Sequence, residues 1–577
     1  MRRLILLALF AATAARAEIN AIHRVYSIDD DGMTGTREEW VTADLKRREI
    51  VDHKFDQTVV VYDGKSGWRR DWNGFVEKLA GSDLRQQRDL ALIHMLRFDA
   101  KSDPEVRFVV DPATGHIERA EMPSFDGTAS IAFSDWRKVS GVDVPFTEVT
   151  TTGPNTSTAK LQSIEFLPGD GVDVTPPQSG PDDVAWLRPN AKSQTLPFNF
   201  DNNHIMILTT VNGVGPIWFL VDTGANFTVI SQSRVAEFGL TPYGGLKTIG
   251  GGSSAAGGSY VQHVTYRFGD VELRDQHAAV LELKGLDKLY GMPLGGILGF
   301  DFLSRFVTDI DYVKNTLTLR PRTFDTSHLK DSHVPLVMQG EQPYFGGKIR
   351  VGEETIPAWF ILDVGAADTI TFTTPFIAKH NLIERAGDRE RTVRKFAAPD
   401  VEAFNPTNIR GLIDAVTIGG ITLPHVLVNL SAAKTGAYTS PAFDGNVCET
   451  ILSRFAHVIL DYGRSEMILQ PQASTTKPFE ERKSFGISVV AGSPELHHFT
   501  VTAVDASSAA GAAGFQKGDV IAGIDGTPAE QMNLAAVKKV FADEGSHHTF
   551  AVRRGTTETT ETTIQAKIDL KPISSLR

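Results

Sequence analysis

The sequence predicts a mainly β chain of several domains, two of which are related lobes. Three observations carry this expectation. The chain has 577 residues, well beyond one domain, so about four are expected. Short β-prone stretches such as TVVVYDGKSGW and ASIAFSDWRKV are punctuated by Asp-Gly and Ser-Gly turns. The span from about 195 to 472 carries one pattern twice.

Composition narrows the function classes. Hydrophobic residues make up 41% and charged residues 22%, enough to bury several cores. Lys and Arg number 58 against 70 Asp and Glu, a net charge of −12. With no concentrated basic run, binding to a nucleic-acid backbone is not expected. The single cysteine, Cys448, excludes an intrachain disulfide framework and a cysteine-cluster metal site.

In chain order, Arg2 and Arg3 precede an apolar run, Leu4 to Ala15, and then the small-x-small site Ala15-Arg16-Ala17. This is the pattern of a secretory signal peptide, residues 1–17, cleaved after Ala17. No other stretch approaches 18 uncharged apolar residues, so no membrane span is expected. The expected location is exported, either periplasmic in a Gram-negative cell or secreted. Residues 18–175 read as a β-rich N-terminal domain, and 169–183 have the breaker density of a linker.

The duplication follows. Trp218-Phe219-Leu220-Val221-Asp222-Thr223-Gly224-Ala225 aligns without a gap with Trp359-Phe360-Ile361-Leu362-Asp363-Val364-Gly365-Ala366. Further on, GILGFDFLSRF (296–306) aligns with GNVCETILSRF (445–455), and Leu-Ser-Arg-Phe is identical in both. A repeat this long predicts two lobes of one molecule, 195–322 and 333–472.

An aspartate ending a buried strand sits on a rigid platform, and a glycine after it permits a tight turn and close approach. If Asp222 and Asp363 face each other, both cannot ionise readily, and the pair shares a proton. A water between them can be deprotonated by the ionised member while the other donates to a developing oxyanion. This chemistry needs no metal, cofactor or covalent intermediate.

FLVDTGANFTVIS (219–231), a Gly-rich stretch and GILGFDFLSRF together resemble the bacterial retropepsin-like aspartic proteases, over about half of the chain. The resemblance implies a two-lobed β fold, hydrolysis of peptide bonds by Asp222 and Asp363, and support from Thr223, Gly224, Gly365 and Gly299. It also implies a β-hairpin flap carrying Gly250, Gly251, Gly252 and Ser253. The second lobe departs twice: Val364 stands where the family has threonine, and Cys448 where it has the glycine matching Gly299. Ala225 and Ala366 offer no hydroxyl to the carboxylates, so a pH optimum nearer neutrality is expected.

SSAAGAAGFQKGDVIAGIDG (507–526), within 484–572, resembles the PDZ domains of bacterial exported proteases. The resemblance implies strand addition of a peptide along an exposed edge, with its terminal carboxylate at Phe485-Gly486-Ile487 and the 534–542 helix lining the groove. The N-terminal segment faintly resembles periplasmic lipoprotein-carrier sheets that can hold an apolar ligand. Its Trp68, Trp72 and Trp136 are expected in the domain core.

The reading is an exported aspartic endopeptidase acting on peptides or unfolded proteins, with a PDZ domain that recruits or regulates substrate. Two alternatives stay open: a catalytically silent peptide-binding protein, and a protease active only as a dimer of first lobes.

Overall fold

A computed structural model describes residues 19–96, 106–124, 127–153, 155–169, 171–180, 182–249, 255–386, 394–395, 407–434, 436–479, 483–492, 495–555 and 560–572. Strands account for 53% of it and helices for 12%, so the class is mainly β. The predicted signal peptide lies outside the described residues.

Residues 21–167 form one 11-stranded antiparallel sheet. Its first strand, Ala21–Asp30, pairs with its last, Asn155–Leu167, and two meanders run outward from that seam. Helix α1 (Gly81–His94) covers one face and buries Ala91, Leu92 and Ile93. The space beneath also holds buried charge. Arg47 bonds Glu39 at 2.7 Å and Gln87 at 2.6 Å, His94 bonds Glu39 at 2.6 Å, and Tyr26 bonds Glu148 at 2.8 Å.

The duplication is visible in the topology. In lobe 1, strand Val214–Val221 runs parallel to Leu294–Leu298, which pairs with Val229–Ser231. In lobe 2, Glu354–Asp363 runs parallel to Gly445–Cys448, which pairs with Ile370–Phe372. Near the aspartates, Phe219–Val221 and Phe360–Leu362 are buried on both faces of these strands, as a continuous apolar run requires. The lobes meet where the repeated Asp-Tyr strands pair with each other. Phe306–Asp311 lies antiparallel to Phe455–Asp461, with Asp309 opposite Ile459. Strand Val184–Trp186, just past the predicted linker, joins the lobe 1 sheet by pairing with Val271–Leu273.

The C-terminal sheet is Ile487–Gly492, His498–Val504, Val520–Ile524, His547–Arg554 and Thr560–Lys567, in that order. Asp525 and Gly526 both take positive φ, 51° and 79°, and close a two-residue turn with Ile524 opposite Thr527. This unit has its own apolar core around Phe485, Phe499, Phe515 and Phe550.

Trp72 is a correction to the sequence reading. It sits in the Asp71–Phe75 turn and leaves its own domain. Its indole packs edge-on against Tyr260 at 5.3 Å and Phe227 at 6.1 Å of lobe 1, and its N–H points to Asp301 at 3.4 Å. Trp136 stays home, packed at the Ile117–Phe133 core and stacked on His116.

Candidate active site

Each aspartate ends a core strand and begins a loop that is pinned from inside. Gly224 N–H donates to Asp222 Oδ1 at 2.7 Å, and Gly365 N–H donates to Asp363 Oδ1 at 3.0 Å. The two loops touch. A Cβ on Gly224 would lie 3.1 Å from Asp222 Oδ1 and 3.2 Å from Asp363 Cγ, and a Cβ on Gly365 would overlap the Asp222 carboxylate. Neither glycine has a positive φ. Their role is therefore room for the opposing carboxylate, not the sharp turn expected from sequence.

The predicted supporting residues are found around this pair. Thr223 is buried, and its hydroxyl donates to Leu362 O across the interface at 2.6 Å. It accepts from Val364 N–H at 3.0 Å. Val364 cannot return these bonds and packs instead in the main apolar cluster. Gly299 is confined: a Cβ there would overlap Phe227 O and come within 2.8 Å of Ala225 O. Cys448 fills the matching place in lobe 2 without breaking the frame. Glu449 N–H reaches Ala366 O at 2.9 Å, as Phe300 N–H reaches Ala225 O at 3.0 Å.

Burial raises both carboxyls, Asp222 to about 6 and Asp363 to about 7, the latter also through the charge of Asp222. Like charges this close titrate as a unit. One donor is asymmetric. Asn446 Nδ2 donates to Asp363 Oδ2 at 3.0 Å, favouring its charged form. The matching lobe 1 residue is the apolar Ile297.

Strands Tyr243–Ile249 and Ala255–Phe268 form a hairpin over lobe 1, with Ile249 opposite Ala255. The predicted flap residues Gly250, Gly251, Gly252 and Ser253 lie outside the described residues. The hairpin rests on the N-terminal domain: Lys247 pairs with Asp31 at 2.5 Å, and Phe55 stacks on Tyr243 at 4.7 Å.

In the C-terminal unit, Ile487 is half-buried at the start of the edge strand. Gly486 N–H donates to Ser484 Oγ at 3.0 Å. The Phe485 ring lies in the core, stacked on Phe541 at 5.6 Å.

Several contributors were missed from sequence. Asn203 Nδ2 bonds Ala367 O at 2.9 Å and Thr450 Oγ1 at 2.7 Å, and Gln342 Nε2 bonds Gly224 O. These ties join the lobes beside the dyad. Tyr290 is buried below it, where burial and the two aspartates push its hydroxyl up. Only Asn446 left a signal, as a polar residue where the first copy of the repeat has Ile297.

Residues 207–302 match the aspartyl protease family model, and residues 474–549 match the PDZ domain model. Among solved structures, the chain is similar to a retropepsin-like aspartic protease from Rickettsia conorii. The identity is 23%, over 22% of this chain and 89% of that one, with a TM-score of 0.16. It is also similar to a LolA superfamily protein from Nitrosomonas europaea, at 9% identity over 27% of this chain and 93% of that one, TM-score 0.21. A third similarity is to the HtrA-type protease AlgW with a decapeptide, at 11% identity over 55% of this chain and 84% of that one, TM-score 0.16. No curated protein matches the chain. The chain thus carries a stretch similar to the aspartyl proteases and a stretch similar to PDZ domains.

Proposed function

We propose that this protein is an exported aspartic endopeptidase, with Asp222 and Asp363 as its catalytic pair and the PDZ domain recruiting or regulating substrate. The observation that carries the reading is the mutual approach of the two carboxylates, each lying against the glycine of the other's loop. A water held between them would lose a proton to the ionised aspartate and attack the peptide carbonyl. The protonated partner would donate to the oxyanion, and microscopic return of the protons would expel the amine. Thr223 holds the loops at the spacing this requires.

One proton on the pair is the working state. Activity falls where both members are protonated and again where both are ionised. The raised carboxyls place the expected maximum between about 6 and 7. A profile peaking below about 4, the ordinary aspartate value, contradicts this.

The one-sided Thr223 bond favours a second reading, a silent peptide-holding scaffold. The test is cleavage of casein by the wild type, Asp222→Ala and Asp363→Ala, with a statine-type inhibitor as control. Loss in both variants supports the intrachain pair. Loss in Asp222→Ala alone, with activity falling on dilution, supports a dimer of first lobes. No loss in either removes the protease reading.

A further inference from the structure

The peptide groove of a PDZ fold lies between its edge strand and the helix that follows the central strands. Here these are Ile487–Gly492, paired on one side only with His498–Val504, and helix Leu534–Val540. Something already spans the two. Helix α2 of this chain, Lys284–Tyr290 in lobe 1, packs against the edge strand. Its carboxyl end meets the PDZ helix: Lys538 Nζ donates to Leu289 O at 3.3 Å and to Asn202 Oδ1 at 2.6 Å. Gly291, left-handed at φ 67°, caps α2, and a Cβ there would overlap Leu534 at the first turn of the PDZ helix. Among the described residues no backbone hydrogen bond joins α2 to the edge strand. The helix therefore covers that edge without satisfying it as an added strand would.

We infer that α2 is an intramolecular plug of the PDZ groove, and that an extended peptide with a free terminal carboxylate must displace it to bind. The inference rests on the PDZ part of the proposed function and is independent of catalysis. A short chain of contacts runs from the groove to Tyr290 and His204. Asn202 Nδ2 reaches Tyr290 O at 3.4 Å, and the Tyr290 hydroxyl donates to His204 Nε2 at 3.3 Å. His204 donates through Nδ1 to Asn202 O at 2.8 Å; burial lowers it to about 4 and keeps it neutral. Tyr290 lies within the field of both aspartates. Binding that excludes the plug must, by linkage, be weakened by whatever holds the plug in place.

The test uses the full chain and Lys538→Glu, which sets a carboxylate against the Leu289 carbonyl, with Lys538→Ala as a milder variant. Amide hydrogen exchange is followed at 284–291 and 485–492, with 520–524 and 547–554 reporting that the PDZ core stays folded. The expected result is exchange at least tenfold faster in both of the first two segments together, with the core segments unchanged. Equal exchange of 485–492 in wild type and both variants overturns the inference, as does release of 485–492 while 284–291 stays protected. In a second arm, phage displaying random decapeptides with free carboxy termini are selected on Lys538→Glu. The best peptide is expected to bind the wild type at least tenfold more weakly. Equal affinity, or no enrichment, overturns the plug. A chain that binds the peptide as expected but cleaves no casein overturns only the protease reading.

Discussion

The two lobes share strand order, the Asp-x-Gly loop and the Leu-Ser-Arg-Phe block, yet the same arginine serves each differently. In lobe 1, Arg305 is buried. It bonds Asp183 at 2.9 Å, lies 3.8 Å from Asp71 and sits 4.7 Å over the ring of Phe75. It thereby fastens the N-terminal domain to lobe 1. In lobe 2, Arg454 donates to Lys477 O and lies 4.3 Å over Phe479, on the segment leading to the PDZ domain. The loops diverge in the same way. Lobe 1 keeps the threonine that grips its partner, whereas lobe 2 has given it up and gained Asn446 against its own aspartate. Duplication preserved the frame, and the neighbouring domains set what each copy does with it.

The largest effect that would test this division concerns the aspartates. Casein turnover is expected to fall at least ~10³-fold in Asp222→Ala and in Asp363→Ala alike, because the pair works as a unit. A large difference between the two breaks the equivalence of the lobes.

The arginines come next. Arg305→Met leaves Asp71, Asp183 and Asp301 without their cation and should cost about 3–5 kcal/mol in urea unfolding. Arg454→Met should cost about 1 kcal/mol. Similar losses would remove the contrast.

Stability should also report on the dyad. A carboxyl raised from 3.8 to about 6 in the folded state favours the unfolded state as pH rises through that window. Asp222→Asn is therefore expected to gain roughly 2–3 kcal/mol at pH 8 and nothing below pH 4, read from thermal unfolding at both values.

The grip gives a smaller difference. Thr223→Val removes both interlobe bonds, at about 1–3 kcal/mol. Val364→Thr restores the missing hydroxyl and should add at most ~1 kcal/mol. Smallest of all, Asn446→Ile makes lobe 2 match lobe 1 at this position. The alkaline limb of the pH–rate profile, set by the Asp363 carboxyl, should move up by up to about one unit, with little change in Tm.

The repeat, its two aspartates and the PDZ strings were legible because each is written in contiguous residues. An apolar strand, a turn glycine and a Gly-Asp pair announce themselves locally. What was not legible depends on partners far along the chain. Trp72 looks like any core tryptophan until Asp301 is placed beside it, and nothing in Lys284–Tyr290 itself signals that it packs against the strand Ile487–Gly492. The inward turn of the Phe485 ring was hidden for a related reason: a motif position gives the backbone path, while neighbouring aromatic rings decide where the side chain goes. Asn446 sits between these cases, visible as an odd letter but meaningless without the carboxylate it bonds.

The antiparallel seam between Phe306–Asp311 and Phe455–Asp461 bears on the order of synthesis. Asp222 leaves the ribosome well before the second of these strands exists. Until that strand docks, the seam that sets the lobes side by side is missing, and on the proposed reading the nascent polypeptide lacks the assembled pair that would activate water. On the proposed protease reading, a chain laid out this way stays harmless while its own unstructured polypeptide, the kind of material it would cut, lies closest at hand.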